Sequence, residues 1–154
     1  MELSMILFGK GGFGVHAFGR VIRRAFIEDD ASLCIALAFE YDTVVRGGIS
    51  NCHLIVSEKQ CNPVVEGKPD VSIDYCAARA ILRTRDETVY LSIPLEEQSC
   101  VQKSARGYVL LGMLVGREYV RLSKEAVSAA IEFECKASRI RLMNQNAFEK
   151  GLSL

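Results

Sequence analysis

The sequence has no excess of either charge: lysine plus arginine and aspartate plus glutamate each number 19 in 154 residues. A neutral balance gives nucleic acid and anionic membranes nothing general to hold, so neither is an expected partner. Arg79, Arg83 and Arg85 form one local basic cluster, read as a solvated helix face or a partner contact. No apolar run approaches the roughly 20 residues that span a bilayer. The opening Met-Glu-Leu-Ser lacks the basic start of a secretory signal, and a cytoplasmic protein is expected. Histidine is scarce, only His16 and His53, so a Cys–His catalytic pair has little to build on. Cysteine is not scarce, but no two of Cys34, Cys52, Cys61, Cys76, Cys100 and Cys135 form C-x-x-C. Structural zinc and iron–sulfur centres need grouped thiolates. The six are expected to be reduced structural thiols, with Cys34 and Cys52 as small buried hydrophobes in strand-like runs.

What is present has the order of an α/β protein. Leu3 to Phe8 is an apolar run of strand length. From Val15 the period changes, and Val15, Phe18, Val21, Ile22, Ala25 and Phe26 recur at three- and four-residue steps. That is an amphipathic helix with Arg20, Arg23 and Arg24 on its polar side, closed by Glu28-Asp29-Asp30. Leu33 to Phe39 is almost wholly apolar, as suits a strand buried on both faces beside a parallel neighbour. Further strands are expected at Ile49–Ser57, Pro69–Tyr75 and Thr88–Pro94, with a short helix in "AARAILR". Tyr108 to Gly116 reads as a buried helix or a strand. Ser123 is placed to cap a helix carrying Val127, Ala130 and Ile131, and a last helix runs to Gly151 as its terminator. The prediction is a single domain, 1–154, of Rossmann-like α/β class: an open, mostly parallel sheet with a helical C-terminal third.

Between the first strand and helix, "GKGGFG" sets Gly9, Gly11 and Gly14 in the spacing G-x-G-x-x-G, with Gly12 as a fourth glycine. Strand before and helix after is the context that gives the spacing meaning. Gly9 would permit the turn, Gly11 a close ligand approach, and Gly14 helix–strand packing. The helix N-terminus near Val15 offers free N–H groups to a phosphate. A dinucleotide unit also wants an acidic residue at the end of the second strand. Glu40 occupies that place, but "EYDTVVRGGIS" is not how such a unit continues. Two readings stay open beside it: a stand-alone NAD(P)- or flavin-binding oxidoreductase, and a loop kept for packing with no ligand.

Several ordered segments resemble one family. "GKGGFGV" (9–15), "EYDTVVRGGISNCHLIVS" (40–57), "PDVSI" (69–73), "IP" (93–94), "LLGMLVG" (110–116) and "NQNAFEKG" (144–151) are similar to the gamma subunit, or gamma domain, of 2-oxoacid:ferredoxin oxidoreductases. Three places depart from its pattern: Phe13 where glutamine is common, a shortened stretch between Asp74 and Ile93, and Arg106-Gly107 where an asparagine often stands. The resemblance implies a non-catalytic subunit of an enzyme converting a 2-oxoacid, coenzyme A and oxidised ferredoxin to acyl-CoA, carbon dioxide and reduced ferredoxin. It places thiamine diphosphate, magnesium and [4Fe–4S] clusters in partner subunits, with ferredoxin as acceptor. It also suggests coenzyme A as the loop's ligand: Gly9, Gly11, Gly12 and Gly14 around the phosphates, Arg46 as cation, and Gly47 and Gly48 admitting the backbone. Alternatively "RGG" makes a subunit contact and Arg46 an ion pair across it. No residue is assigned a catalytic role. His16 and His53 read as packing or orienting residues, and Glu40 and Asp42 as turn or interface residues.

Overall fold

A computed structural model describes residues 2–41, 48–62, 68–74, 89–92 and 101–154. Five strands form one sheet: β1 (Glu2–Lys10), β2 (Cys34–Tyr41), β3 (Ile49–Ser57), β4 (Val71–Asp74) and β5 (Val89–Ser92). Helices α1 (Val15–Asp29), α2 (Arg106–Gly116), α3 (Lys124–Glu134) and α4 (Ser138–Leu152) accompany it, and a short 3₁₀ turn, Lys103–Ala105, leads into α2. The α/β class and the helical C-terminal third are as the sequence predicts. The expected helix in "AARAILR", with Arg79, Arg83 and Arg85, lies outside the described residues. So do Asp42, Arg46, Gly47, Cys76 and Cys100.

The sheet is mixed, in the order β2-β3-β1-β4-β5. β4 pairs parallel to β1 and β5 parallel to β4, whereas β3 runs antiparallel to both β1 and β2. Four strands therefore point one way, and β3 alone is reversed. This corrects the parallel neighbour expected for Leu33 to Phe39: the β1–α1–β2 crossover passes over β3, and β2 pairs antiparallel with β3. The cause is the seven-residue connection from Tyr41 to Ile49. A parallel return needs a dozen residues or more, so β3 folds back beside β2 and takes the place next to β1. β2 becomes an edge strand, and Leu33 to Phe39 are half-buried rather than buried on both faces.

Alternation divides the sheet's two faces. Met5, Leu7, Cys52, Leu54 and Val56 join the main core, into which α1 lowers Phe18, Val21, Ile22, Ala25 and Phe26. Ile6, Phe8 and Ile55 form a small cluster on the other face, with Cys61 packed against it. Cys52 is wholly buried, and burial pushes its thiol up to about 12, so it is the small hydrophobe expected.

The segment from Tyr108 is a helix, and it is apolar all round because it is covered all round. Gly112 and Gly151 let α2 and α4 meet backbone to backbone: a Cβ on Gly151 would lie 2.0 Å from the Val109 carbonyl oxygen. Gly151 therefore lies inside α4 and serves packing, not termination. Ser123 caps α3 as predicted, its hydroxyl accepting from the Ala126 N–H at 3.2 Å.

Candidate functional site at the glycine loop

β1 runs on past the apolar stretch Leu3 to Phe8, as far as Lys10. Gly9 is still in the strand, opposite Ser50, and buried. The turn is Lys10 to Phe13, closed by the Phe13 N–H donating to the Lys10 carbonyl at 3.1 Å. Its third residue, Gly12, has φ 89°, where a side chain is strained and glycine is favoured. Gly14 follows at φ 79° as the N-cap of α1, with no side-chain cap bond. The four glycines thus have different places: Gly9 in the strand, Gly11 and Gly12 in the turn, and Gly14 at the N-cap of α1.

The two glycine motifs meet. The Gly11 N–H donates to the Gly48 carbonyl at 2.9 Å, joining the loop after β1 to the approach to β3. Arg46 and Gly47, expected beside them, lie outside the described residues. Two cations that the sequence reading did not assign to the site also come in, through Phe13. The Lys103 ammonium stands 5.7 Å and the Arg106 guanidinium 5.8 Å from the centre of its ring. Their signal in the sequence was the basic residue opening an apolar helix: a cation at a helix N-terminus opposes the dipole and asks for another reason. The Ser104 carbonyl closes this side, 3.8 Å from where a Gly14 Cβ would be. A Cβ on Gly12, by contrast, would meet nothing within 4 Å.

Behind Gly14 and Ala17 opens a cavity of about 660 Å³ that reaches Tyr108, Cys135 and Asn144. The Asn144 side-chain amide donates to the Cys135 sulfur at 3.2 Å, and the Tyr108 hydroxyl lies 3.7 Å from it. Burial, then Cys135, raises the Tyr108 pKa, so it stays a neutral phenol.

The remaining candidates make their contacts with β2 and β3. His16, one residue into α1, stacks on Phe39 at 4.4 Å between centroids. Burial first, and Arg20 second, lower its pKa and favour the neutral ring. Glu40, next to last in β2, has its carboxylate 3.3 Å from His53 Nε2, on the next strand. Since β3 stands between β2 and β1, Glu40 is displaced from the loop by two strand spacings, about 10 Å. Among the described residues no group of three His, Cys, Asp or Glu is placed to hold a metal ion. No described helix is long and apolar enough to cross a membrane. The N-terminus of α1, the cations Lys103 and Arg106 and the open space at Gly12 meet at this end of the sheet, and these are features that an anionic group would use.

No family model and no curated protein matches the chain. Solved structures do. The gamma subunit of a keto/oxoacid ferredoxin oxidoreductase from Geobacter sulfurreducens PCA is 19% identical, at TM-score 0.71, over 99% of this chain and 95% of that one. A pyruvate oxidoreductase subunit, PORC, from Thermotoga maritima is 15% identical, at TM-score 0.74, over 99% and 96%. The chain has the fold of these subunits. A 2-oxoglutarate:ferredoxin oxidoreductase from Magnetococcus marinus, solved with 2-oxoglutarate, coenzyme A and succinyl-CoA, contains the same fold at 17% identity and TM-score 0.68. This chain spans 99% of itself but only 30% of that longer one.

Proposed function

We propose that this chain is a non-catalytic gamma subunit, a single gamma-type domain over 1–154, of a cytoplasmic 2-oxoacid:ferredoxin oxidoreductase. The complex would convert a 2-oxoacid, coenzyme A and oxidised ferredoxin to acyl-CoA, carbon dioxide and reduced ferredoxin. The observation that carries the reading is end-to-end likeness: a gamma subunit and a PORC subunit, each a separate chain, share this fold over 95% and 96% of their own lengths. Partner subunits would supply thiamine diphosphate, magnesium and [4Fe–4S] clusters.

The glycine loop is the contact offered to coenzyme A. A pyrophosphate needs close backbone approach, the N–H groups of a helix N-terminus and cations. Gly11, Gly12, Gly14 and Gly48 supply the first, the opening turn of α1 the second, and Lys103 and Arg106 the third. Gly9 would support the loop from within β1. Arg46 and Gly47 remain in the proposal through the sequence, next to Gly48. When bound, coenzyme A supplies the acyl-accepting thiol; this chain's residues would only hold and orient it.

The test is isolation of the chain with its native companions under anaerobic conditions. Coenzyme A-dependent reduction of a viologen dye by one 2-oxoacid, from a thiamine-containing brown complex, is the expected result. A colourless chain that runs alone and is inactive would overturn the reading.

A further inference from the structure

Cys34 and Cys61 stand 27 residues apart in sequence and side by side in space. Cys34 opens β2 at the edge of the sheet, and Cys61 lies in the connection after β3. The Cys61 thiol points at its neighbour: its Sγ is 3.3 Å from Cys34 Sγ and 3.5 Å from the Cys34 carbonyl oxygen. Packing holds this geometry, for Cys61 covers the apolar cluster of Ile6, Phe8 and Ile55, and Cys34 is registered opposite Ser57. Both cysteines are half-buried, within reach of a small reagent, unlike the wholly buried Cys52. Cys135 has Tyr108 and Asn144 for neighbours and, among the described residues, no second sulfur. Burial raises the Cys61 pKa, so this residue rests as a thiol at neutral pH.

We propose that Cys34 and Cys61 form a thiol–disulfide site that is closed by small-molecule disulfides. One of the two thiols loses its proton and attacks a sulfur of the small disulfide, giving a mixed disulfide and releasing one small thiol. The second protein thiol, already in contact, then attacks the mixed bond. It forms Cys34–Cys61 and releases the other small thiol. Two protein thiols are oxidised, one small disulfide is reduced to two thiols, and the two protons pass to the leaving thiolates. The sulfurs need to approach by only about an ångström to reach bonding distance. The bond would pin the start of the edge strand, which among the described residues pairs with β3 alone, to the segment leaving β3.

The experiment uses the full chain, reduced and then equilibrated with glutathione at graded ratios of disulfide to thiol. After acid quenching and alkylation, digestion after lysine, arginine and glutamate leaves each of the six cysteines on its own peptide. The expected product is the Cys34 peptide joined to the Cys61 peptide, two hydrogens lighter than their sum and separated by dithiothreitol. The closed form should melt roughly 5 °C or more above the reduced form. In Cys61→Ser, Cys34 should stop at the glutathione adduct. Wild-type chains in which both cysteines stay alkylatable, carry separate glutathiones, or pair with other cysteines would overturn the proposal. The peptide map of the wild type decides this even where the variant fails to fold.

Discussion

At Gly14 the backbone itself holds the loop's shape. Its φ of 79° lies where a Cβ is strained, while the space around it is ordinary, with the nearest atom at 3.8 Å. Gly14→Ala should therefore cost about 1 kcal/mol through conformation alone. In a domain of this size that is a fall of roughly 2–4 °C in melting temperature. Lys103 and Arg106 carry a different consequence, since both face Phe13 beside the loop. Replacing both with glutamine should leave melting nearly unchanged, because exposed or half-exposed cations contribute little to stability. It should raise the KM for coenzyme A of the assembled enzyme about five- to tenfold and leave the KM for the 2-oxoacid alone. Equal KM values in variant and wild type would remove these cations from the site. His16 adds a dependence on pH. With its folded pKa held below the usual 6.5, the unfolded chain takes up the proton first as pH falls. Its contribution is complete above about pH 6.5 and fades below it, so the wild type should lose stability from pH 6.5 toward 5 more steeply than His16→Gln. Parallel melting curves for the two across that window would show that the ring is not held neutral.

Among the elements, α2 and α4 give opposing expectations for one substitution. In an open helix interior, Gly→Ala stabilises by up to about 1 kcal/mol. At Gly151 the new Cβ would sit 2.0 Å from the Val109 carbonyl oxygen and 2.9 Å from the Gly112 Cα, both backbone. Neither can rotate away, so the helices must separate, and overpacking of this kind costs about 1–3 kcal/mol or more. Packing outweighs propensity, and Gly151→Ala should lower the melting temperature by at least about 3 °C. A rise would mean that the two helices do not approach this closely. The sequence shows Gly151 as a glycine near a helix end, which is why termination reads so naturally there. Periodicity reports which residues recur, not which helix lies against them. Where a signal is local, it is legible: Ser123 before an apolar run caps α3, and the change of period at Val15 starts α1. The apolar run at Leu33–Phe39 gives the strand but not its place in the sheet, because edge position depends on where β3 returns. The cations beside Phe13 are hidden for the same reason, being some 90 residues away along the chain.

For the whole molecule, strand order decides between two uses of one glycine spacing. A dinucleotide-binding unit sets its second strand directly beside its first, so an acid at the end of one reaches the ribose of a ligand whose pyrophosphate lies on the loop of the other. Here the reversed β3 occupies that neighbouring place, and Glu40 is turned to His53 at 3.3 Å instead. The spacing from Gly9 to Gly14 and the acid at Glu40 are both present, yet the topology keeps them apart. The full chain should accordingly give no heat of binding with NAD or NADP in calorimetry at millimolar ligand, and Glu40→Ala should not alter that result. The same substitution should cost at most about 1 kcal/mol of stability, the usual worth of a half-exposed polar contact. Tight NAD binding that weakens in Glu40→Ala would require Glu40 to reach the loop, and with it a sheet in which β2, not β3, lies next to β1.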